Sequence, residues 1–370
     1  FVDGLFIVGV PFFVVGAVFA FPETFSPPDS MTVVSWAILV MGVDVSHVYS
    51  TLYRTYLDRD TRQRHAALLY LLPFAVLVAS MLLYSAGAMV FWRVMAYLAV
   101  FHFARQQYGF MRVYSRNENQ SATTRRIDAL AIYTATFYPI LDWHLQGQKA
   151  FNWFMKGDFA YFTSATASGI ARGIYFAVMT LYAAKELTLF WNSFAAKKKL
   201  PAFWNFSAAL RRKYQFNLPR NLVIAGTFLS WYVGIVYFNS DLAFTAINVM
   251  SHGIPYMALV WIWGRKAHAG SESLAHQVFR PRYVALFVGF LLLLGYIEEG
   301  FWNIWVWHEP EHEGLFTVFH ENIGDLEPGS AWLGLVVPLL SVPQVTHYII
   351  DGFIWKVRDD RYNWRKAVLG

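Results

Sequence analysis

About ten stretches of this chain stay apolar for close to the roughly 20 residues that a helix needs to cross the hydrocarbon core of a bilayer. They lie near 5–22, 31–53, 66–86, 88–112, 127–146, 169–191, 219–238, 241–263, 282–300 and 331–356. A backbone in lipid must satisfy its own hydrogen bonds, so runs of this length predict helices. The fold class they imply is all-α, a polytopic transmembrane helical bundle of about ten spans forming one integral membrane domain over 1–370. Composition agrees: 56% of the residues are hydrophobic, 19% aromatic and 15% charged, against roughly 25% charged in a soluble domain. The net charge of +6 implies no nucleic acid, because Lys and Arg gather in loops between apolar runs, where they set orientation. Cysteine is absent, which removes thiolate ligands, iron–sulfur clusters and cysteine nucleophiles. Any metal must be held by nitrogen and oxygen.

Loop charge orders the spans. Arg54, Arg59, Arg62 and Arg64 follow the second span, and Arg112, Arg116, Arg125 and Arg126 follow the fourth. Arg265 and Lys266 follow the eighth, and Lys356, Arg358, Arg361 and Arg365 the last. The segment 298–330 instead holds eight acidic residues and no Lys or Arg. The positive-inside rule then puts both termini in the cytoplasm and the acidic loop outside, as in a bacterial inner membrane protein. A basic, aromatic insertion near 192–218 is expected to lie on the anionic inner leaflet. The aromatic loop 147–168 reads as interfacial or re-entrant.

Four histidines, His47, His102, His252 and His347, sit inside apolar runs, and all four of their spans run from outside to inside. They lie about 16, 14, 11 and 16 residues into those spans. At 1.5 Å per residue this is roughly 16–24 Å from the outer boundary of a core about 30 Å thick. A lone membrane histidine commonly bonds helix to helix; four at one depth point to a metal, provided their helices surround a common centre. Each has a polar residue one turn away: Asp44 before His47, Gln106 after His102, Tyr256 after His252 and Asp351 after His347. Such neighbours orient metal-bound imidazoles or move protons. His308, His312 and His320 read as part of a solvated acidic loop, His144 as interfacial, and His65, His268 and His276 as surface residues. Glu298 and Glu299 read as an outer helix end without a catalytic role. There is no GxSxG elbow, phosphate-binding glycine loop or HExxH pair.

The segments FHFARQQ, around His102, and VPQVTHYIIDGFIW, around His347, resemble motifs of bacterial membrane β-carotene dioxygenases of the Brp/Blh type. DVSHVY around His47 and MSHGIPY around His252 resemble that family more weakly, and Asp44 precedes its histidine where the family has an acid after it. The resemblance implies helix-borne histidines holding non-haem iron and oxidative cleavage of a carotenoid with dioxygen.

Three functions remain open on the sequence. The leading one is a non-haem iron oxygenase acting on a lipophilic isoprenoid, carotenoid or lipid substrate drawn from the membrane lipids, with Zn or Cu as alternative ions. A second is a Zn-dependent intramembrane lipid hydrolase with Asp351 or Asp44 as general base. A third is a haem b- or pigment-binding or transport subunit of a membrane complex.

Overall fold

A helix occupies each of the ten apolar stretches in the computed structural model, which describes residues 2–118, 120–198, 216–270, 274–327, 329 and 331–355. In chain order they are α1 (Val10–Ala20), α2 (Val33–Arg54), α3 (Ala66–Ser85), α4 (Ala88–Tyr114) and α5 (Ala122–Gln146). There follow α6 (Ala165–Lys198), α7 (Leu218–Trp231), α8 (Asp241–Ala267), α9 (Pro281–Trp307) and α10 (Leu333–Ile354). No strand occurs among the described residues. The starts are set by side chains that accept from orphan backbone amides. Thr32 caps α2, Ser121 caps α5, Asn217 caps α7 and Ser240 caps α8.

Five of these helices, α2, α3, α8, α9 and α10, are long and apolar enough to cross a membrane. Others are more polar: α4 interrupts its apolar run with Arg93, Arg105, Gln106 and Gln107. Large apolar side chains face outward on several helices, among them Phe13, Leu71, Phe74, Leu82, Leu286 and Ile170. Such a belt fits a lipid environment. Most of the expected insertion near 192–218 lies outside the described residues, as do Lys356, Arg358, Arg361 and Arg365.

The centre of the bundle is α8, 78% buried over its most apolar window where α3 is 17% buried. It packs on α1 and α2, while α10 packs on α2, α3 and α4. Two glycines allow close approach. A Cβ at Gly253 of α8 would stand 2.8 Å from Val43 Cγ1 and 3.1 Å from the Val43 carbonyl of α2. One at Gly295 of α9 would stand 2.7 Å from Ser46 Oγ, also on α2. The stretch of α2 that holds Val43 and leads into Ser46, Ala37–Val45, is π-helical, a local widening often found at functional sites.

The loop 147–164 folds back onto the bundle. Phe151 and Phe159 are buried against Trp143 and Phe244. Asp158 Oδ2 fixes the turn, accepting from the backbone N–H groups of Trp153 (2.9 Å), Phe154 (2.7 Å) and Met155 (3.2 Å). The acidic loop is also folded. His308 Nε2 meets the Leu326 carbonyl at 2.7 Å, His320 pairs with Asp325 at 2.7 Å, and buried His312 stacks on Trp36 at 4.0 Å. These three histidines pin a loop whose acidic side chains, Glu311, Glu313 and Asp325 among them, are exposed.

Candidate metal centre

His47 on α2, His252 on α8, His102 on α4 and His347 on α10 converge, each offering one ring nitrogen within 4.8 Å of the others. All four are buried. Their rings form a closed circuit in which each imidazole meets two others edge to face. Centroid separations are 4.7 Å for His47–His252, 5.0 Å for His252–His102, 4.7 Å for His102–His347 and 5.1 Å for His347–His47. The circuit follows from the packing: α2 lies beside α8 and α10, and α4 beside α10. Phe103 of α4 closes the fourth side by stacking on His252 at 3.5 Å.

The hydrogen-bond network assigns two tautomers. His47 Nδ1 lies 3.3 Å from the Val43 carbonyl, so it carries the proton and Nε2 keeps its lone pair. His347 Nδ1 lies 2.7 Å from Thr51 Oγ1, and Thr51 Oγ1 lies 2.9 Å from the Tyr256 hydroxyl. Tyr256 in turn donates to Asp351 Oδ1 at 2.5 Å. The donors therefore run from His347 Nδ1–H to Thr51, then Tyr256, then the Asp351 carboxyl. His347 Nε2 is left with its lone pair turned away from the chain of donors.

Three site nitrogens, His102 Nε2, His252 Nδ1 and His347 Nε2, are buried without a hydrogen-bond partner among the described residues. Buried imidazole nitrogens left unbonded are costly, and a cation would satisfy His102 Nε2 and His347 Nε2. His47 Nε2 and His252 Nε2 stand 3.1 Å apart. Two nitrogens bonded at about 2.1 Å to one ion stand roughly 3.0–3.4 Å apart, so this pair has the spacing of a shared ligand edge. The donor set, four neutral imidazoles and no thiolate, suits Fe, Zn or Cu.

The polar neighbours expected one turn away divide. Asp351 lies between two imidazoles, 3.8 Å from His347 Nδ1 and 3.9 Å from His102 Nε2. Tyr256 reaches Thr51 and Asp351 on other helices and not its own helix's His252. Asp44 is 3.8 Å from His47 Nδ1, farther than the backbone carbonyl that nitrogen meets. Gln106 donates to the His252 carbonyl at 2.8 Å and so clamps α4 to α8. Sequence reasoning missed Thr51, which has no helical-spacing relation to His347, and Tyr348, stacked on His102 at 4.7 Å. It also misplaced Glu298 and Glu299. Both are buried, Glu298 accepting from Tyr49 and from Trp302 Nε1 at 3.2 Å.

A second group, Asp58, His268 and His276, has the same closeness of ligand atoms. Its two imidazoles lie face to face, centroids 3.6 Å apart and planes 11° from parallel, so packing accounts for their contact. His268 is mostly buried and not the surface residue expected. Burial, then the neighbouring His276, lowers its pKa below the ordinary histidine value, against the opposing pull of Asp58 and Asp60.

No protein-family model, no curated protein and no solved structure matches this chain.

Proposed function

We propose that the protein is a membrane-embedded metalloenzyme in which His47, His102, His252 and His347 hold a single non-haem iron ion, and that it oxygenates a lipophilic substrate. The observation that carries this reading is the closed circuit of four buried imidazoles with unbonded nitrogens among them. An iron ion in a nitrogen set supplies one-electron chemistry with dioxygen at positions the protein leaves open. The protein's own part is orientation and proton handling. Thr51 holds the His347 tautomer, Phe103 and Tyr348 fix ring planes by stacking, and the Thr51–Tyr256–Asp351 chain offers a proton route from His347 to Asp351. The buried aromatic walls exclude water from the reacting groups. The resemblance to carotene dioxygenases supports iron and oxygen chemistry here more than it supports carotene.

One observation favours a second reading. Asp351, hydrogen-bonded to Tyr256 and facing His102 and His347, is placed as a general base would be in a Zn-dependent lipid hydrolase. A haem fits less well: rings 4.7–5.1 Å apart around the whole circuit leave no slot for a flat macrocycle. We further propose ten spans, both termini cytoplasmic and the acidic segment 298–330 outside, on the loop charges.

Metal analysis tests the reading. Wild-type protein should retain about one iron per chain, and His102→Ala or His347→Ala should lose it while His276→Ala keeps it. Equal content in all four proteins would remove the ligand set, and Zn-dominated protein indifferent to oxygen would replace the oxygenase with the hydrolase.

A further inference from the structure

A cavity of about 830 Å³ opens between α4, α5, α8 and α10. Its inner end is lined by His102, Tyr256 and Asp351, members of the metal centre and its proton chain. Its other end is lined by four arginines, Arg112, Arg116, Arg125 and Arg126, and Arg105 lies between the two ends. Four elements of one surface of α4 define the route: His102, then Arg105 and Gln106 one turn on, then Gly109, then Arg112 and Val113. These positions recur at three and four residues, so they share a helix face. From His102 to Arg112 the rise is about 15 Å. Apolar walls, including Phe110, Leu259 and Trp355, line the space between the two ends, and outward-facing Phe101 borders it beside His102.

The charge at the arginine end is not balanced locally. The two nearest acids on the same connection, Glu118 and Asp128, are engaged elsewhere: Arg220 Nη1 meets Glu118 at 2.6 Å and Asp128 at 3.3 Å, and Lys185 also pairs with Asp128. Arg105 donates to the Tyr133 hydroxyl at 2.5 Å, and Arg116 to the Val113 carbonyl at 2.9 Å. Arg112, Arg125 and Arg126 form no ion pair among the described residues. A positive-inside loop alone needs arginines near the surface. It does not need them around the mouth of a cavity that ends at a histidine cluster. Guanidinium groups in number match a phosphate, which accepts several forked hydrogen bonds, better than a single carboxylate.

We propose that this cavity takes a phosphorylated lipid, its phosphate held by Arg112, Arg125 and Arg126 and its apolar chain running along α4 toward His102. The assignment rests on the metal reading only for which part of the chain would react; head-group binding does not require the ion. It narrows the substrate from any lipophilic molecule to one with an anionic head, and so away from a pure hydrocarbon.

The test is equilibrium binding of radiolabelled dodecyl phosphate to the wild-type chain in dodecyl maltoside micelles. Dodecanol, laurate and inorganic phosphate serve as competitors. Saturable binding that none of the three displaces at matched concentration is expected. It should weaken at least about tenfold in the Arg112→Gln/Arg125→Gln/Arg126→Gln variant, as the loss of charge-assisted contacts implies. The corresponding triple Lys variant, which keeps the charge without the fork, should fall between. Arg64→Gln, a change in another loop where Arg64 faces Asp60 at 3.8 Å, should bind like wild type. Displacement by inorganic phosphate would reduce the mouth to a free-anion site, and displacement by laurate would make it a fatty-acid site. Displacement by dodecanol, or full binding by both triple variants, would leave the arginines without a role; each of these outcomes overturns the proposal. Metal is measured in the same wild-type preparation before and after chelation. Binding should persist after chelation; binding by protein that holds no metal as purified would overturn only the metal reading, and metal without binding only this one.

Discussion

Thr51 joins the proposed metal centre to the rest of the bundle through a single hydroxyl, which accepts from His347 Nδ1 and donates to Tyr256. Thr51→Val keeps the shape and removes that hydroxyl, leaving His347 free to turn or change tautomer. Metal affinity should fall roughly 10–100-fold, as for other groups that orient a ligating histidine, with Thr51→Ser restoring it. Chelator competition measures this, and a Val variant with wild-type affinity would reduce Thr51 to a packing residue. Asp351→Asn, at the far end of the same chain, should act in the same direction. His268 gives a separate prediction in pH. Its pKa is lowered in the folded chain by burial and His276, so just below the unfolded value of 6.5 the unfolded state binds more protons. The contribution of this residue to stability is therefore full above that pH and is lost as the pH falls below it. Thermal unfolding in detergent should drop less steeply below pH 6.5 in His268→Gln than in wild type. Parallel curves would remove the effect.

Between elements, the decisive contact is α2 against α8. Gly253 follows His252 directly, and its missing side chain lets Val43 and His47 come close enough for the 3.1 Å nitrogen pair. Gly253→Ala would push a methyl against the Val43 carbonyl and Cγ1. Overpacking of this kind costs about 1–3 kcal/mol, and it would spread the two ligands it separates. Both a lower unfolding midpoint and reduced metal retention are expected, whereas Gly289→Ala, which meets nothing within 4 Å, should change neither. A Gly253→Ala protein with normal metal content would mean that the helix spacing does not set the site. The π-helical stretch of α2 belongs to the same contact: Ser46 donates back to the Met41 carbonyl at 2.8 Å, which satisfies a backbone group released by the irregular turn.

Across the whole molecule, one cluster of buried charge stands apart from the four histidines. Arg220 lies fully buried among Glu118, Asp128 and Glu186, with Lys185 beside two of them. This cluster ties α5, α6 and α7 to the turn after α4. Buried pairs of this kind specify an arrangement more than they stabilise it, because desolvation offsets most of the attraction. The proposed topology is testable on the same scale. The absence of native cysteine makes single-cysteine labelling unambiguous: Glu311→Cys should react with an impermeant maleimide on intact cells, and Arg64→Cys only after the membrane is opened. The reverse pattern would invert the bundle.

The sequence by itself determined the class of this molecule and the positions of its helices, because apolar length and the need to satisfy backbone hydrogen bonds are local properties of a run. It also singled out His47, His102, His252 and His347, since polar side chains stand out against an apolar run. Neighbours on the same helix were legible for the same reason, although only Asp351 lies between two of the imidazoles. What the tertiary structure alone decided was partnership across helices. Thr51 meets His347 296 positions away, Tyr256 turns to Asp351 and not to His252, and Glu298 is buried beside Tyr49. The cavity joining Arg112 to His102 is likewise a property of four helices together. Such contacts depend on how far each helix is rotated and how closely it packs. Rotation and spacing are set by small residues such as Gly253 and Gly295 acting on their neighbours, and helical periodicity carries no record of which helix that neighbour is.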